Sequence, residues 1–196
     1  RRGFWIMIRF IAIVIVLFVY LIVGIPVLIV EHFVGLVNRR AKDYSCLRMV
    51  QWTFRLMLKI AGVKVTVIGE ENVPDEPVLY IGNHRSYFDI LLTYSRCRRL
   101  TGYVAKKEME KIPLLRSWMK NVNCLFLDRT NPKEGLKTIL QAIDYIKNGI
   151  SICVFPEGTR NEGEELTMLP FKDGAFKIST KTGCPIVPIS LNNTAV

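Results

Sequence analysis

An uncharged stretch of 21 residues near the amino terminus is the feature that most restricts how this chain folds. It runs from Phe10 to Val30 as FIAIVIVLFVYLIVGIPVLIV. As an α-helix it would be about 31 Å long, which matches the hydrocarbon thickness of a bilayer. It is longer than the apolar region of about 7–15 residues in a secretory signal peptide, and no small-x-small cleavage site follows it. The sequence therefore predicts a membrane segment over residues 10–30.

Basic residues lie on both sides of this segment. Residues 1–60 contain nine Lys or Arg against two acidic residues, a net charge of +7, whereas residues 61–196 carry only +3. Segments rich in Lys and Arg beside a membrane helix tend to remain on the cytoplasmic side. We therefore expect a cell-membrane protein whose main domain lies on the cytoplasmic face. A single span and a monotopic hairpin broken or bent near Gly24 and Pro26 both remain open. The charge indicates membrane lipids as partners and gives no support to nucleic acid.

Residues 44–61 complete a membrane-anchoring segment that we assign to residues 1–61. Leu47, Val50 and Leu58 recur at helical spacing, with basic residues between them. This pattern is typical of an amphipathic helix that lies at the membrane interface. A core helix of the following domain is the alternative interpretation.

The remaining residues, 62–196, alternate short apolar runs with helical stretches. Strands are predicted at residues 63–68, 78–82, 102–105, 124–128, 150–155 and 185–191. Helices are predicted near residues 87–97, 111–121, 132–148 and 171–182. The alternation predicts an α/β domain with a mostly parallel sheet flanked by helices.

His84 stands where a predicted strand gives way to a predicted helix, in the sequence NHRSYFD. Ligands of open α/β sheets bind at this end of the strands. With His84 on the loop and Asp89 in the first turns of the helix, the carboxylate would hold one ring nitrogen and leave the other as a general base. An ordinary loop histidine and helix-start aspartate have the same spacing. Ser86 is an alternative nucleophile, although no G-x-S-x-G elbow is present.

A second polar cluster, FPEGTR at residues 155–160, also follows an apolar strand. Gly158 permits a close approach of the backbone, and the Arg160 guanidinium suits a phosphate monoester. The Glu157 carboxylate could accept a hydrogen bond from a substrate hydroxyl. An ordinary polar turn is the alternative interpretation.

Two further strand ends carry basic residues. Arg129, in FLDR at residues 126–129, is either a phosphate contact or the structural partner of Asp128. Lys106 follows the strand predicted at residues 102–105 and is another candidate, although exposed lysines are usually only solvated.

Four motifs occur in order: N-H-x4-D at 83–89, F-x-D-R at 126–129, F-P-E-G-T-R at 155–160 and P-I-V-P at 185–188. Together they resemble the motifs of the glycerophospholipid acyltransferase family, most closely its bacterial 1-acyl-sn-glycerol-3-phosphate acyltransferases. The resemblance implies transfer of a fatty acyl group from acyl-CoA or acyl-carrier protein to the sn-2 hydroxyl of lysophosphatidic acid, forming phosphatidic acid. Glycerol-3-phosphate or another lysophospholipid is the alternative acceptor. A membrane-anchored lipid-binding module is the non-enzymatic alternative.

The same resemblance makes His84 the catalytic base and Asp89 its partner. It assigns the glycerol phosphate to Arg129, Glu157, Gly158 and Arg160, to which we add Thr159 and Lys106 as candidate substrate contacts. No metal and no cofactor beyond the thioester co-substrate is expected, and backbone N–H groups near the helix start are expected to stabilise the oxyanion. Family members usually continue past the fourth motif, so the domain is expected to be truncated at its C-terminus.

Overall fold

Two long helices precede alternating strands and helices in the computed structural model, which describes residues 2–164 and 167–194. The helices are α1 Arg2–Val37, α2 Arg39–Ala61, α3 Phe88–Tyr94, α4 Pro113–Asn121, α5 Pro132–Lys147 and α6 Lys177–Thr182. The strands are β1 Leu79–Gly82, β2 Thr101–Lys106, β3 Leu125–Leu127, β4 Ser151–Val154 and β5 Ile186–Ile189. Single 3₁₀ turns cover Glu70–Asn72, Lys107–Lys111 and Asp173–Phe176.

The five strands form one parallel sheet in the order β3-β2-β4-β1-β5. Alternate residues of the central strands face opposite sides, as the strand period requires. Leu79 and Ile152 pack in the core with α5 and α6, whereas Tyr80 and Cys153 pack in the core with α2 and α3. The predicted α/β fold with a mostly parallel sheet is confirmed.

The strand predicted at residues 63–68 is wrong. These residues have no strand pairing among the described residues, and the side chains of Val63, Val65 and Val67 are exposed. Alternating valines fit a pleated surface, but a strand also needs a neighbour whose backbone completes the ladder. Instead, the segment lines a cavity of about 540 Å³ beside β5.

Helix α1 is continuous through Gly24 and Pro26, so neither residue breaks it. Gly24 lies against the Trp118 ring of α4, and a Cβ at this position would come within 2.8 Å of the ring. Tyr20, one turn earlier, packs on the same indole at 4.7 Å between ring centroids. From Gly3 to Val37, α1 is long and apolar enough to cross a membrane, and most of its large apolar side chains are exposed.

Helix α2 runs back along α1. The Arg9 guanidinium, near the start of α1, donates to the Ala61 carbonyl oxygen at the end of α2 at 3.2 Å. On its other side, α2 buries Leu47 and Val50 in the core beside Tyr94 of α3. The apolar residues Leu47 and Val50 of α2 are therefore part of the domain core, which favours the alternative interpretation of this helix.

Candidate active site

The polar motifs meet at one edge of the sheet because all five strands are parallel. Each motif follows the carboxyl end of a strand, and these ends lie side by side. His84 follows β1, and the FPEGTR motif follows β4, which is the direct neighbour of β1. Arg129 follows β3, three strand spacings or about 14 Å from β1. The strand order thus places residues 155–160 closer to His84 than Arg129.

His84 and Asp89 are in direct contact. His84 Nδ1 lies 2.8 Å from Asp89 Oδ2, and the Asp89 side chain is fully buried. An ionised carboxylate only accepts hydrogen bonds, so Nδ1 carries the proton, and in the neutral imidazole Nε2 keeps its lone pair. The His84 ring is also stacked on Phe155, with 4.4 Å between ring centroids and 19° between planes. The imidazole is thus fixed in tautomer and orientation, as a general base requires.

Asp89 stays ionised although it is buried. Burial raises its pKa, but hydrogen bonds from His84 and from the backbone N–H groups of Ser86 and Arg85 hold the pKa of this carboxyl below its usual range. The backbone nitrogen of Arg85 lies 2.6 Å from Asp89 Oδ2, and that of Ser86 lies 2.8 Å from the same oxygen.

Ser86 lies two residues before α3. Its hydroxyl oxygen accepts the N–H of Phe88 at 3.0 Å, a local bond that serine commonly makes to the backbone two residues further on. This contact does not activate the hydroxyl as a nucleophile. The N–H groups of Arg85, Ser86 and Phe88 all have side-chain acceptors. They are therefore not the free donors that were expected to stabilise an oxyanion.

Glu157 has a different position from the one expected. Its side chain is buried, with Oε1 accepting the N–H of His84 at 2.8 Å and Oε2 accepting the N–H of Leu169 at 2.9 Å. Gly158 has φ +75°, where a side chain would be strained, and its N–H donates to Phe155 O at 3.0 Å. Both residues shape the turn after β4, and each side-chain oxygen of Glu157 already accepts a main-chain N–H.

Thr159 and Arg160 are exposed at the outer side of the same turn. The Arg160 guanidinium carbon lies 4.4 Å from the centroid of the Tyr87 ring, a cation–π contact. Because Tyr87 immediately precedes α3, this contact draws the positive charge of Arg160 toward the loop that carries His84.

The polar residues at the ends of β2 and β3 have different roles, some in structural contacts and some exposed to solvent. Asp128 Oδ2 pairs with Lys107 at 2.9 Å, and Asp128 Oδ1 accepts the Thr130 N–H at 2.9 Å. The neighbouring Lys107 ammonium and these hydrogen bonds hold the pKa of the Asp128 carboxyl well below its usual range. Asp128 therefore pairs with Lys107 rather than with Arg129, and the side chains of Arg129 and Lys106 are exposed at this edge.

The residues after β5 close the other side of the His84 loop. The Asn83 amide donates to Leu191 O and accepts from Leu191 N, both at 2.7 Å. The cavity beside β5 reaches Thr93 and Thr194, but His84 does not line it. We therefore do not assign it to the reacting groups.

Three residues near His84 were missed by sequence reasoning, namely Arg85, Tyr87 and Asn161. Arg85 and Asn161 are buried polar residues bonded to main-chain groups of distant segments. Their positions beside two motifs were the only signal in the sequence. Among residues 2–164 and 167–194, no three His, Cys, Asp or Glu side chains are placed to hold a metal ion.

The sequence and the fold both match known proteins. A family model described as Acyltransferase matches residues 64–192. A 1-acyl-sn-glycerol-3-phosphate acyltransferase of Saccharomyces cerevisiae is 36% identical over 153 residues, which are 75% of this chain and 50% of that protein. A probable 1-acyl-sn-glycerol-3-phosphate acyltransferase of Mycoplasma pneumoniae is 31% identical over 185 residues, 87% of this chain and 68% of that protein. The chain thus spans half the length of the yeast relative.

A solved structure has the same fold. The crystal structure of the 1-acyl-sn-glycerophosphate acyltransferase PlsC from Thermotoga maritima superposes with a TM-score of 0.79 at 26% sequence identity. The match covers 96% of this chain and 74% of that one, so it includes both the helical hairpin and the sheet.

Proposed function

The chain belongs to the acyltransferase family, and from this membership we propose that it transfers a fatty acyl group from a thioester to a hydroxyl of a phosphorylated glycerolipid. The observation that carries the proposal is the 2.8 Å contact between His84 Nδ1 and the buried Asp89 carboxylate. A module that only binds lipid has no need of an imidazole held in one tautomer. A general base, in contrast, depends on it.

Lysophosphatidic acid is the acceptor in this proposal, and phosphatidic acid is the product. The names of the yeast and mycoplasma relatives support this acceptor. The exposed guanidinium of Arg160, on the turn beside the His84 loop, suits its phosphate monoester. Thr159, beside Arg160 on the same turn, and Arg129 and Lys106, at the ends of β3 and β2, are secondary contacts for the headgroup.

In the proposed reaction, His84 Nε2 takes the proton of the sn-2 hydroxyl as the oxygen attacks the thioester carbonyl carbon. The tetrahedral intermediate then collapses, the carbon–sulfur bond breaks, and the imidazolium returns the proton to the leaving thiolate. The products are an ester and a free thiol. Asp89 stabilises the imidazolium while it exists. General-base assistance accounts for about 10²- to 10⁴-fold of the rate enhancement, and positioning of the two substrates supplies much of the rest.

The acyl donor is acyl-CoA or acyl-carrier protein, since both present the same thioester carbon. No further cofactor enters the scheme. Cys97 and Cys124 are poor nucleophiles for a covalent route, because burial raises the pKa of both thiols to about 11 and so disfavours the thiolate.

The protein is proposed to sit on the cytoplasmic face of the cell membrane. The exposed apolar surface of α1 enters the lipid, and the basic residues around the hairpin face anionic headgroups. Because α2 runs back along α1 and is joined to the domain core, a shallow monotopic insertion fits this hairpin better than an isolated perpendicular span.

A thiol-release assay tests the function directly. The full chain, in lipid vesicles, is given acyl-CoA or acyl-carrier protein together with lysophosphatidic acid, glycerol-3-phosphate or lysophosphatidylcholine. We expect thiol release that depends on lysophosphatidic acid, with phosphatidic acid identified by mass spectrometry. His84→Ala should lower the rate about 10²- to 10⁴-fold, whereas His32→Ala, at the exposed histidine of α1, should leave it unchanged.

Each alternative has its own result. Release with glycerol-3-phosphate or lysophosphatidylcholine, but not with lysophosphatidic acid, would overturn the proposed acceptor. Vesicle binding without thiol release for any acceptor would identify a lipid-binding module. Full activity of the His84→Ala variant would remove His84 from the mechanism.

A further inference from the structure

The loop that follows β4 holds the main chain of His84 on both sides. The N–H of His84 donates to Glu157 Oε1 at 2.8 Å, and the N–H of Asn161 donates to the His84 carbonyl oxygen at 2.7 Å. His84 lies between β1 and α3, outside both elements. These two bonds therefore replace the ones that a strand or helix would give its main chain. The position of His84 depends on the shape of residues 155–161.

The described residues that follow β4, up to residue 164, belong to no helix or strand, and Thr159, Arg160 and Glu162 among them are exposed. Such loops are usually more mobile than the elements they connect. Asn161, between the exposed Arg160 and Glu162, is buried, with only 4% of its surface exposed. A buried amide on an exposed loop indicates that its hydrogen bonds shape the loop.

Both the oxygen and the nitrogen of the Asn161 side-chain amide are hydrogen-bonded to the main chain of the loop. Its Oδ1 accepts the N–H of Gly163 at 2.9 Å, and its Nδ2 donates to the carbonyl oxygen of Thr167 at 2.7 Å. The two bonds tie residue 161 to positions two and six residues further along the chain. They fix the direction in which the Asn161 backbone N–H points.

Arg85 binds the same segment from the His84 side. Its guanidinium donates to the carbonyl oxygens of Gly163 and Glu164, each at 2.8 Å. The contacts are reciprocal, because residue 161 holds His84 while residue 85 holds residues 163 and 164. The two segments form one hydrogen-bonded unit although they are more than 70 residues apart in the chain.

We propose that Asn161 is a positioning residue for His84. Its side-chain bonds align its own N–H with the His84 carbonyl oxygen and so keep the imidazole over Phe155 and within reach of Asp89. Arg160 directly precedes Asn161, so the same bonds set the separation between the base and the guanidinium for the phosphate. The kinetic consequence rests on the proposed function, whereas the geometric consequence for His84 does not.

Two variants at this position and one beside it form the test. Asn161→Ala removes both side-chain bonds, and Asn161→Asp keeps the acceptor for Gly163 while placing an oxygen against the Thr167 carbonyl. Glu162→Ala changes the next, exposed residue and serves as the matched control. We expect kcat of Asn161→Ala to fall about ten- to hundred-fold with little change in either KM, because a small displacement of a base costs rate rather than affinity. Asn161→Asp should fall less, and Glu162→Ala should match the parent.

The imidazole itself gives a readout that needs no activity. The chain has two histidines, so ¹⁵N-histidine labelling yields signals for His84 and for His32, which serves as the internal reference. In the parent, the Nδ1–H of His84 should appear far downfield and exchange slowly, because it donates to a buried carboxylate. In Asn161→Ala this signal should broaden or shift, while that of His32 and the thermal unfolding transition persist.

An unchanged His84 signal in folded Asn161→Ala protein would overturn the proposal, as would an unchanged kcat. Where the alanine variant does not fold, Asn161→Asp decides by the same two measurements. An inactive parent chain would count against the proposed function alone, since the imidazole signal would still report whether Asn161 positions His84.

Discussion

Glu157 Oε1 lies 2.8 Å from the backbone nitrogen of His84, a residue 73 positions earlier in the chain. The other oxygen of the same carboxylate accepts the N–H of Leu169 at 2.9 Å. Glu157 thus joins the loop after β1 to the far end of the loop after β4. Its motif is conspicuous in the sequence, yet its side chain binds the protein's own main chain.

Glu157→Gln should therefore lower kcat and stability rather than affinity for the acceptor. The glutamine amide fills the same volume, but its NH₂ group faces an N–H where the carboxylate had an oxygen. Loss of one buried bond costs about 1–3 kcal/mol. Steady-state kinetics and thermal unfolding measure both effects. A raised KM for lysophosphatidic acid with unchanged stability would instead mean that Glu157 contacts the substrate.

Asp89→Asn should change how stability depends on pH. The pKa of Asp89 is depressed in the folded protein, so its stabilising effect is complete above the unfolded pKa of about 3.9 and is lost as the pH falls through the folded value. The difference in unfolding free energy between the parent and Asp89→Asn should stay constant from pH 7 to about 5 and shrink below pH 4. Unfolding midpoints across this range measure it. A difference that persists unchanged at the lowest pH would show that the carboxylate charge does not stabilise the fold.

Tyr87→Ala should weaken binding of the phosphorylated acceptor, and Tyr87→Phe should not. Both variants lack the hydroxyl, but only phenylalanine keeps the ring under the Arg160 guanidinium. An exposed cation–π contact contributes about 0.5–1 kcal/mol, so KM for lysophosphatidic acid should rise about two- to five-fold. KM for the acyl donor is the control and should stay constant. Equal effects of the two substitutions on this KM would show that the contact between the Tyr87 ring and Arg160 does not contribute to acceptor binding.

Phe18→Glu should release the protein from vesicles. Phe18 is 61% exposed on α1. Moving a carboxylate from water into apolar surroundings is unfavourable, so the fraction of the variant bound to vesicles should fall. Leu140→Glu places the same charge at a leucine of α5 that is 55% exposed, and flotation of this variant should match the parent. Equal partition of the two variants would indicate that α1 does not enter the lipid.

The placement of the motifs was predictable from the sequence because strand polarity is a local consequence of alternating strands and helices. Once the sheet is parallel, His84, Glu157 and Arg129 must all stand at its carboxyl edge. The His84–Asp89 contact was predictable for the same reason, since it spans only five residues and one helix start.

Helix faces and strand edges were harder to predict. The basic amphipathic pattern of residues 44–61 fits a membrane surface and a protein core equally well, and only the packing of Leu47 and Val50 beside Tyr94 distinguishes the two. The valines of residues 63–68 have strand periodicity, but pairing depends on a neighbouring edge that no local pattern specifies.

By itself, the sequence determined which chemical groups this protein brings to the end of its sheet, because motif composition and strand polarity are local properties of the chain. Only the tertiary structure decided which of those groups keep polar atoms that are not already hydrogen-bonded within the protein. Glu157 and Asn161 have the residue types of substrate contacts, yet their polar atoms are bonded to main-chain groups of His84, Leu169, Gly163 and Thr167. Buried polar atoms must find partners, and in a fold whose loops meet across more than 70 residues those partners are set by three-dimensional packing.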